Sequence, residues 1–283
     1  MKRTFSLILA FLIIITLLFS CTENDVITES EQSKHQVSIN TDILHLESSS
    51  GLKFELNESN NGYILVGRGT CTESNVIVNT FLGLPVTSIG FCAFSGSSSL
   101  TSITIADSVT SIDDFAFENC YSLKSIRLGK GLTHIGFEAF RNCTSLTEIA
   151  LPNSLITLGD GAFYNCEKLQ SITLSGSLTK IGDRAFQNCD RLKSISIPDG
   201  VTHVGKSAFR DCDRLREIKL PSKIISIGSH AFYRCASLSS AEFKSPSGWQ
   251  ASTLGISPDA LTDSATAAQY LTATYYEFDW IKK

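Results

Sequence analysis

The chain has 283 residues, 42% of them hydrophobic, so it can bury a sizeable core. Its formal net charge is −4, and losing Lys2 and Arg3 with an N-terminal leader would take that to −6. A weakly acidic chain without a basic stripe is a poor match for nucleic acid, and no nucleic-acid partner is expected.

Met1-Lys2-Arg3 is a basic start, and Phe5 to Phe19 is apolar apart from Ser6 and Thr16. A run of about fifteen residues is short for a membrane-spanning helix and right for a signal-peptide core. Residues 1–20 are therefore expected to be a signal peptide. Leu18-Phe19-Ser20-Cys21 resembles the bacterial lipobox, although Phe19 is bulkier than the small residue usual there. That resemblance implies an exported lipoprotein of a bacterial outer membrane or cell surface. Cys21 would be its lipidated first residue, and the lipid its sole contact with the membrane. An uncleaved anchor and ordinary cleavage are the alternatives. Residues 21–48 are then the lipidated N-terminus and tether. Their Ser, Thr, Glu, Asn and Gln predict a flexible chain at least as far as Gln36.

Residues 49–82 read as an N-terminal β cap. Leu52-Lys53-Phe54-Glu55-Leu56 alternates, Asn57 to Gly62 supplies turn chemistry, and Tyr63-Ile64-Leu65-Val66-Gly67 follows, which predicts a β-hairpin. Val76-Ile77-Val78 should be the first strand of what comes next.

From residue 83 to 244 the chain repeats. Ala-Phe returns every 23 residues, at Ala93-Phe94, Ala116-Phe117, Ala139-Phe140, Ala162-Phe163, Ala185-Phe186, Ala208-Phe209 and Ala231-Phe232. A fixed period of this length is the signature of a solenoid, each repeat one supersecondary unit stacked on the next. A leucine column runs from Leu100 to Leu238 in the same phase. Each unit reads L-x-x-I-x-L, as in Leu146-Thr147-Glu148-Ile149-Ala150-Leu151, and period-two alternation predicts a strand with one buried face. A second apolar pair follows, such as Leu132 with Ile135. Then comes a glycine column, Gly90, Gly136, Gly159, Gly182, Gly205 and Gly228, with Asp113 as the departure. Glycine is expected there for a sharp bend or a positive φ. The Ala-Phe segment is expected to make one helical turn, with Asp114, Asp160 and Asp183 placed to cap free amides.

The combined pattern L-x-x-I-x-L-P followed by x-x-I-G-x-x-A-F-x-N-C resembles the BspA-like, Treponema pallidum-type leucine-rich repeat. The likeness covers seven repeats and more than half of the chain. It implies a β-rich leucine-rich-repeat solenoid of stacked parallel short strands. It also implies a surface-exposed protein, in a family where several members are linked to adhesion. The period itself indicates only the solenoid.

Residues 245–283 fall out of phase and read as a C-terminal cap. A short helix is expected around Ser264 to Leu271. The aromatic segment Tyr275 to Trp280 is expected to be extended and to pack over the last repeat.

The columns assemble no catalytic constellation. Cys120, Cys143, Cys166, Cys189, Cys212 and Cys235 form one column, read as a structural ladder of buried thiols. Stacked Cβ vectors run parallel, which disfavours disulfides, and a linear column cannot converge on a zinc ion. Cys71 and Cys92 are left open as either a disulfide or two thiols. Asn119, Asn142, Asn165 and Asn188 form a second structural column, expected to bond the backbone of the next turn. His134 and His203 stand three repeats apart, roughly 14 Å at the strand spacing, too far for a shared proton or metal. No phosphate loop, dinucleotide fingerprint or nucleophile elbow is present. The chain is read as a non-enzyme without cofactors.

The outward x positions of L-x-x-I-x-L form rows on one surface. One row reads Thr104, Arg127, Ala150, Thr173, Ser196, Lys219, Glu242 and the next Ser102, Ser125, Glu148, Ser171, Ser194, Glu217, Ser240. Charges break the Ser/Thr background at Lys124, Arg127 and Glu148, and again at Arg216, Glu217 and Lys219. These six residues are the candidate ligand face, for a protein or glycan on a host or microbial surface. The second reading is a structural or accessory lipoprotein of a surface nutrient-uptake system.

Overall fold

In a computed structural model, residues 48–283 are described; the leader, Cys21 and most of the tether lie outside the described residues. The repeats wind into a solenoid whose rungs have three sides. The first side is the predicted strand. Asn75–Val78, Ser102–Ile105, Ser125–Arg127, Glu148–Ala150, Ser171–Thr173, Ser194–Ser196, Glu217–Leu220 and Ser240–Phe243 stack in parallel and in repeat register. Within this first sheet the strands are laddered in groups of three, two and three. The alternating pattern is obeyed: Ile149, Ile172, Ile195 and Ile218 are buried between exposed neighbours.

The second apolar pair forms a second parallel sheet, which the sequence reading did not assign to strands. Its rungs are two residues long, for example Ser111–Ile112, His134–Ile135 and Thr157–Leu158. Two-residue strands carry too little alternation to be recognised by period. The predicted hairpin is present, with Lys53–Leu56 antiparallel to Tyr63–Gly67. Its second strand also pairs in parallel with Leu84–Ile89, so the hairpin is itself the first rung of the second sheet.

The third side corrects two expectations. The Ala-Phe segment is not helical. It is a run of overlapping turns, Ala116 N–H to Asp113 O, Glu118 N–H to Phe115 O and Cys120 N–H to Phe117 O. The intervening amides, those of Phe115, Phe117 and Asn119, donate instead to Phe137, Ala139 and Arg141 of the next rung. Turning alternate amides outward requires left-handed backbone at two positions per rung. These positions are held by residues such as Phe115 (φ 57°) and Asn119 (φ 59°), not by the glycine column. Asn tolerates that region better than most side chains, which accounts for the asparagine column. The glycines from Gly136 to Gly228 are needed for close approach: a Cβ on Gly205 would lie 2.5 Å from the Asp183 nitrogen. The aspartates do cap amides, but those of the next rung, with Asp114 Oδ1 accepting from Phe137 N–H at 2.6 Å and Asp183 Oδ1 from Lys206 N–H at 2.8 Å.

The core is a set of ladders. The seven phenyl rings from Phe94 to Phe232 are fully buried and stacked, with centroids 5.1 to 5.6 Å apart and planes within 9°. The cysteine column is buried and unbridged, and Cys71 and Cys92 are also free thiols. Each thiol in the column donates to the phenylalanine carbonyl of the preceding rung, Cys166 Sγ to Phe140 O at 3.3 Å and Cys235 Sγ to Phe209 O at 3.0 Å. The column therefore does more than fill space. It supplies a weak donor where the rung carbonyl faces inward. Burial raises the thiols at the two ends, Cys120 and Cys235, to about 12, and the four between them are raised as well. These sulfurs stay protonated and unreactive.

The asparagine column also departs from expectation. Its side chains bond one another rather than the backbone: Asn142 Nδ2 donates to Asn119 Oδ1 at 2.7 Å, Asn165 to Asn142 at 2.9 Å, and Asn188 to Asn165 at 2.6 Å. Asp211 has no amide to donate, and the column continues as an ion pair, with Arg234 Nε 3.1 Å from Asp211 Oδ1.

At the C-terminal end, Ser264–Gln269 is helical and runs on into a wider turn, Tyr270–Thr274. A preceding short helix, Pro258–Thr262, was not expected. The helix Ser264–Gln269 packs on the last strand of the first sheet. Only Trp280–Lys282 of the aromatic tail is a strand; it pairs antiparallel with Ser226–Ile227 and extends the second sheet to the antiparallel strands Trp249–Ala251 and Leu254–Gly255. Tyr275 to Phe278 forms a turn. Trp249 and Trp280 are buried against Phe243, so these aromatics cap the last repeat.

Candidate functional site

The outer face of the first sheet is built by register. Ser194 pairs with Glu217 and Glu217 with Ser240, and Ser196 pairs with Lys219 and Lys219 with Glu242, so each row runs straight across the rungs. Lys124, Arg127, Glu148, Arg216, Glu217 and Lys219 are all exposed. The structure separates them into two groups. Arg127 and Lys219 lie four rungs apart, about 19 Å at the strand spacing. They cannot grip one small ligand together.

The later group has relief. A depression of about 380 Å³ is lined by Ser171, Ser194, Ser196, Glu217 and Lys219 over the floor of Ile172 and Ile195. A second, of about 350 Å³, adjoins it through Ser194 and Glu217 and is walled by Lys193 and Arg216. Lys193 was missed in the sequence reading. Its signal was present, because it stands one repeat before Arg216, and the Arg216 amide donates to its carbonyl at 3.2 Å. Lys219 lies 3.7 Å from Glu242, both side chains more than half exposed, an arrangement that contributes little to stability. These charges are therefore free to engage a ligand. Hydroxyls on a flat sheet with a few opposed charges suit polar recognition rather than bond-breaking.

The ladder residues are placed elsewhere. Asn119, Asn142, Asn165 and Asn188 are half-buried on the third side, and the column cysteines lie inside. Among the described residues, no group of three or more His, Cys, Asp or Glu side chains is arranged to hold a metal ion. No described helix is long and apolar enough to cross a membrane.

Comparison with known proteins agrees with this architecture. The family model for the BspA type leucine-rich repeat region matches residues 70–193 and 133–248. The solved leucine-rich repeat protein of T. pallidum is 30% identical over 66% of this chain and 88% of its own, with a TM-score of 0.62. A leucine-rich repeat protein from Bacteroides ovatus is 24% identical, over 69% of this chain and 70% of that one, with a TM-score of 0.43. A leucine-rich cell surface protein from Faecalibacterium prausnitzii is 25% identical, over 70% and 76%, with a TM-score of 0.40. No curated protein matches the sequence. The fold is that of a leucine-rich-repeat scaffold, a class that in general binds proteins. The chain belongs to the BspA type leucine-rich repeat family.

Proposed function

We propose that this protein is a lipid-anchored, cell-surface binding protein that adheres to a host protein, a glycoconjugate or another microbe through the outer face of its first sheet. The observation that carries the reading is the pair of adjoining depressions, where Lys193, Arg216, Glu217 and Lys219 cluster on rows that elsewhere are mostly Ser and Thr. The repeats need no charge at these positions, since Ser and Thr occupy them elsewhere in the same rows.

An array of matrix proteins and glycans probed with the full chain should return a ligand. Reversing Arg127, Arg216 and Lys219 to Glu together should leave the fold intact and weaken that ligand by at least about tenfold, with a changed salt dependence. A folded triple variant with unchanged affinity and salt dependence would remove this face from consideration.

Anchoring rests on Cys21 behind the lipobox-like segment. A single acyl chain holds a protein to a membrane only marginally, so more than one is expected on this residue. Cells fed a labelled fatty acid should label the wild type and not Cys21→Ser. Equal label in both would contradict the anchor.

A further inference from the structure

An open depression of about 480 Å³ lies at the corner where the second sheet meets the turn-rich third side, and none of its lining residues belongs to the first sheet. Phe91, Asp113, Asp114 and His134 are among those that line it, and no Lys or Arg does. Phe91 lines it with 65% of its surface exposed, and Phe137, 42% exposed, follows the lining residue Gly136 and faces a separate depression that also holds Arg184 and Lys206. Phe115 packs edge-to-face between them, its centroid 5.8 Å from Phe91 and 5.3 Å from Phe137. Three exposed or half-exposed phenyl rings form a contiguous apolar patch.

The repeat does not require these rings. The positions equivalent to Phe91 and Phe137 hold Asp160, Asp183, Lys206 and Ser229 in later repeats. Phe115 sits at φ 57°, a left-handed conformation that is unfavourable for a bulky side chain, where the equivalent position two repeats on holds Gly161. An aromatic residue in that place carries strain that the rung could avoid.

The carboxylates set the chemistry of the occupant. Asp114 spends one oxygen on the Phe137 amide, 2.6 Å away. Asp113 is half-buried; burial pushes its carboxyl above the usual range, the Ser111 hydroxyl draws it back, and the Asp114 charge beside it raises it again. Two neighbouring acids in a depression lined by no Lys or Arg, with His134 as its one ring base, are complemented by a cation. Ring faces attract guanidinium and ammonium groups, and the aliphatic stems of Arg and Lys cover phenyl surface.

We propose that Phe91, Phe115, Phe137, Asp113 and Asp114 form a second binding site, for an Arg- or Lys-bearing segment of a protein partner. The proposal rests on reading the chain as a binding scaffold, and it is independent of the first-sheet face.

The test uses the full chain and a fluorescent peptide of alternating Arg and Ala, with an alternating Glu and Ala peptide as control and a neutral glucan oligosaccharide as competitor. The basic peptide should bind saturably and the acidic one should not. Asp113→Asn should weaken it by about tenfold and Phe91→Ala by about fivefold. Glu242→Gln, which removes the same charge on the first sheet, should leave it within about twofold. Circular dichroism checks each fold, and Phe91→Ala, an exposed position, decides the matter if Asp113→Asn unfolds. Absence of saturable binding, equal losses in Glu242→Gln, or unchanged affinity in both folded site variants would overturn the proposal. Displacement of the peptide by the oligosaccharide would reassign the site to a glycan and overturn it as well. The assay reads only Phe91 and Asp113, so failure of the first-sheet charge reversal leaves it standing, and the reverse also holds.

Discussion

Replacing Gly159 with Ala should destabilise the solenoid by about 3 kcal/mol or more, a large effect for one methyl group. A Cβ there would lie 2.4 Å from both the carbonyl carbon and oxygen of Gly136 and 2.7 Å from the Phe137 nitrogen. All three are backbone atoms of the neighbouring rung, so no side chain can swing aside. The rungs would have to separate, and the phenyl, thiol and amide ladders would open with them. Gly176 is the matched control. Nothing lies within 4 Å of its hypothetical Cβ, and its φ is not left-handed. Gly176→Ala should be neutral or stabilise by about 0.4 to 1 kcal/mol through the unfolded chain. Urea midpoints of the two variants decide it. Equal midpoints would mean that the glycine column is not held by rung spacing.

Phe163→Ala is expected to cost about 3 to 5 kcal/mol. The ring is fully buried, and it stacks on Phe140 at 5.2 Å and Phe186 at 5.6 Å. Its removal leaves a cavity in the middle of a structure stabilised mainly by nearest-neighbour contacts. Phe94→Ala removes a ring with one stacked neighbour on the ladder, Phe117, and should cost less. Hydrogen exchange should show Phe163→Ala loosening rungs on both sides, and Phe94→Ala loosening the N-terminal end. Identical exchange patterns in the two variants would contradict a stack of locally coupled units.

The solenoid was legible because its evidence is multiplied: each column is a repeated statement about one position. Leu146 and Ile149 are read as buried because every repeat says so. The third side was misread because its backbone has no standard sequence signature. Alternating right- and left-handed residues place Asn119 and Phe115 in conformations that composition does not announce, and glycine drew attention to the wrong column. Gly136 and Gly205 are required by contact between rungs, which depends on how far apart the rungs settle. The asparagine ladder was found but given the wrong partners, since the geometry that aims Asn142 at Asn119 follows from the left-handed backbone. On the candidate face, the six charged positions were legible as departures from a repeating background. Their division into two distant groups follows from rung spacing. Lys193 was overlooked because it precedes the strand, although its column was as readable as that of Arg216. The aromatic corner was invisible as a cluster, because Phe91, Phe115 and Phe137 occupy two different columns.

The central claim is that the first sheet's outer face is where this scaffold meets its partner. A photocrosslinking residue placed at Ser194, exposed between the two depressions, reports contact directly. The same residue placed at His203, exposed on the second sheet, is the control. With the ligand returned by the array, the account predicts a covalent adduct from Ser194 and none from His203. Adducts from His203 alone, or from neither position under saturating ligand, would contradict it.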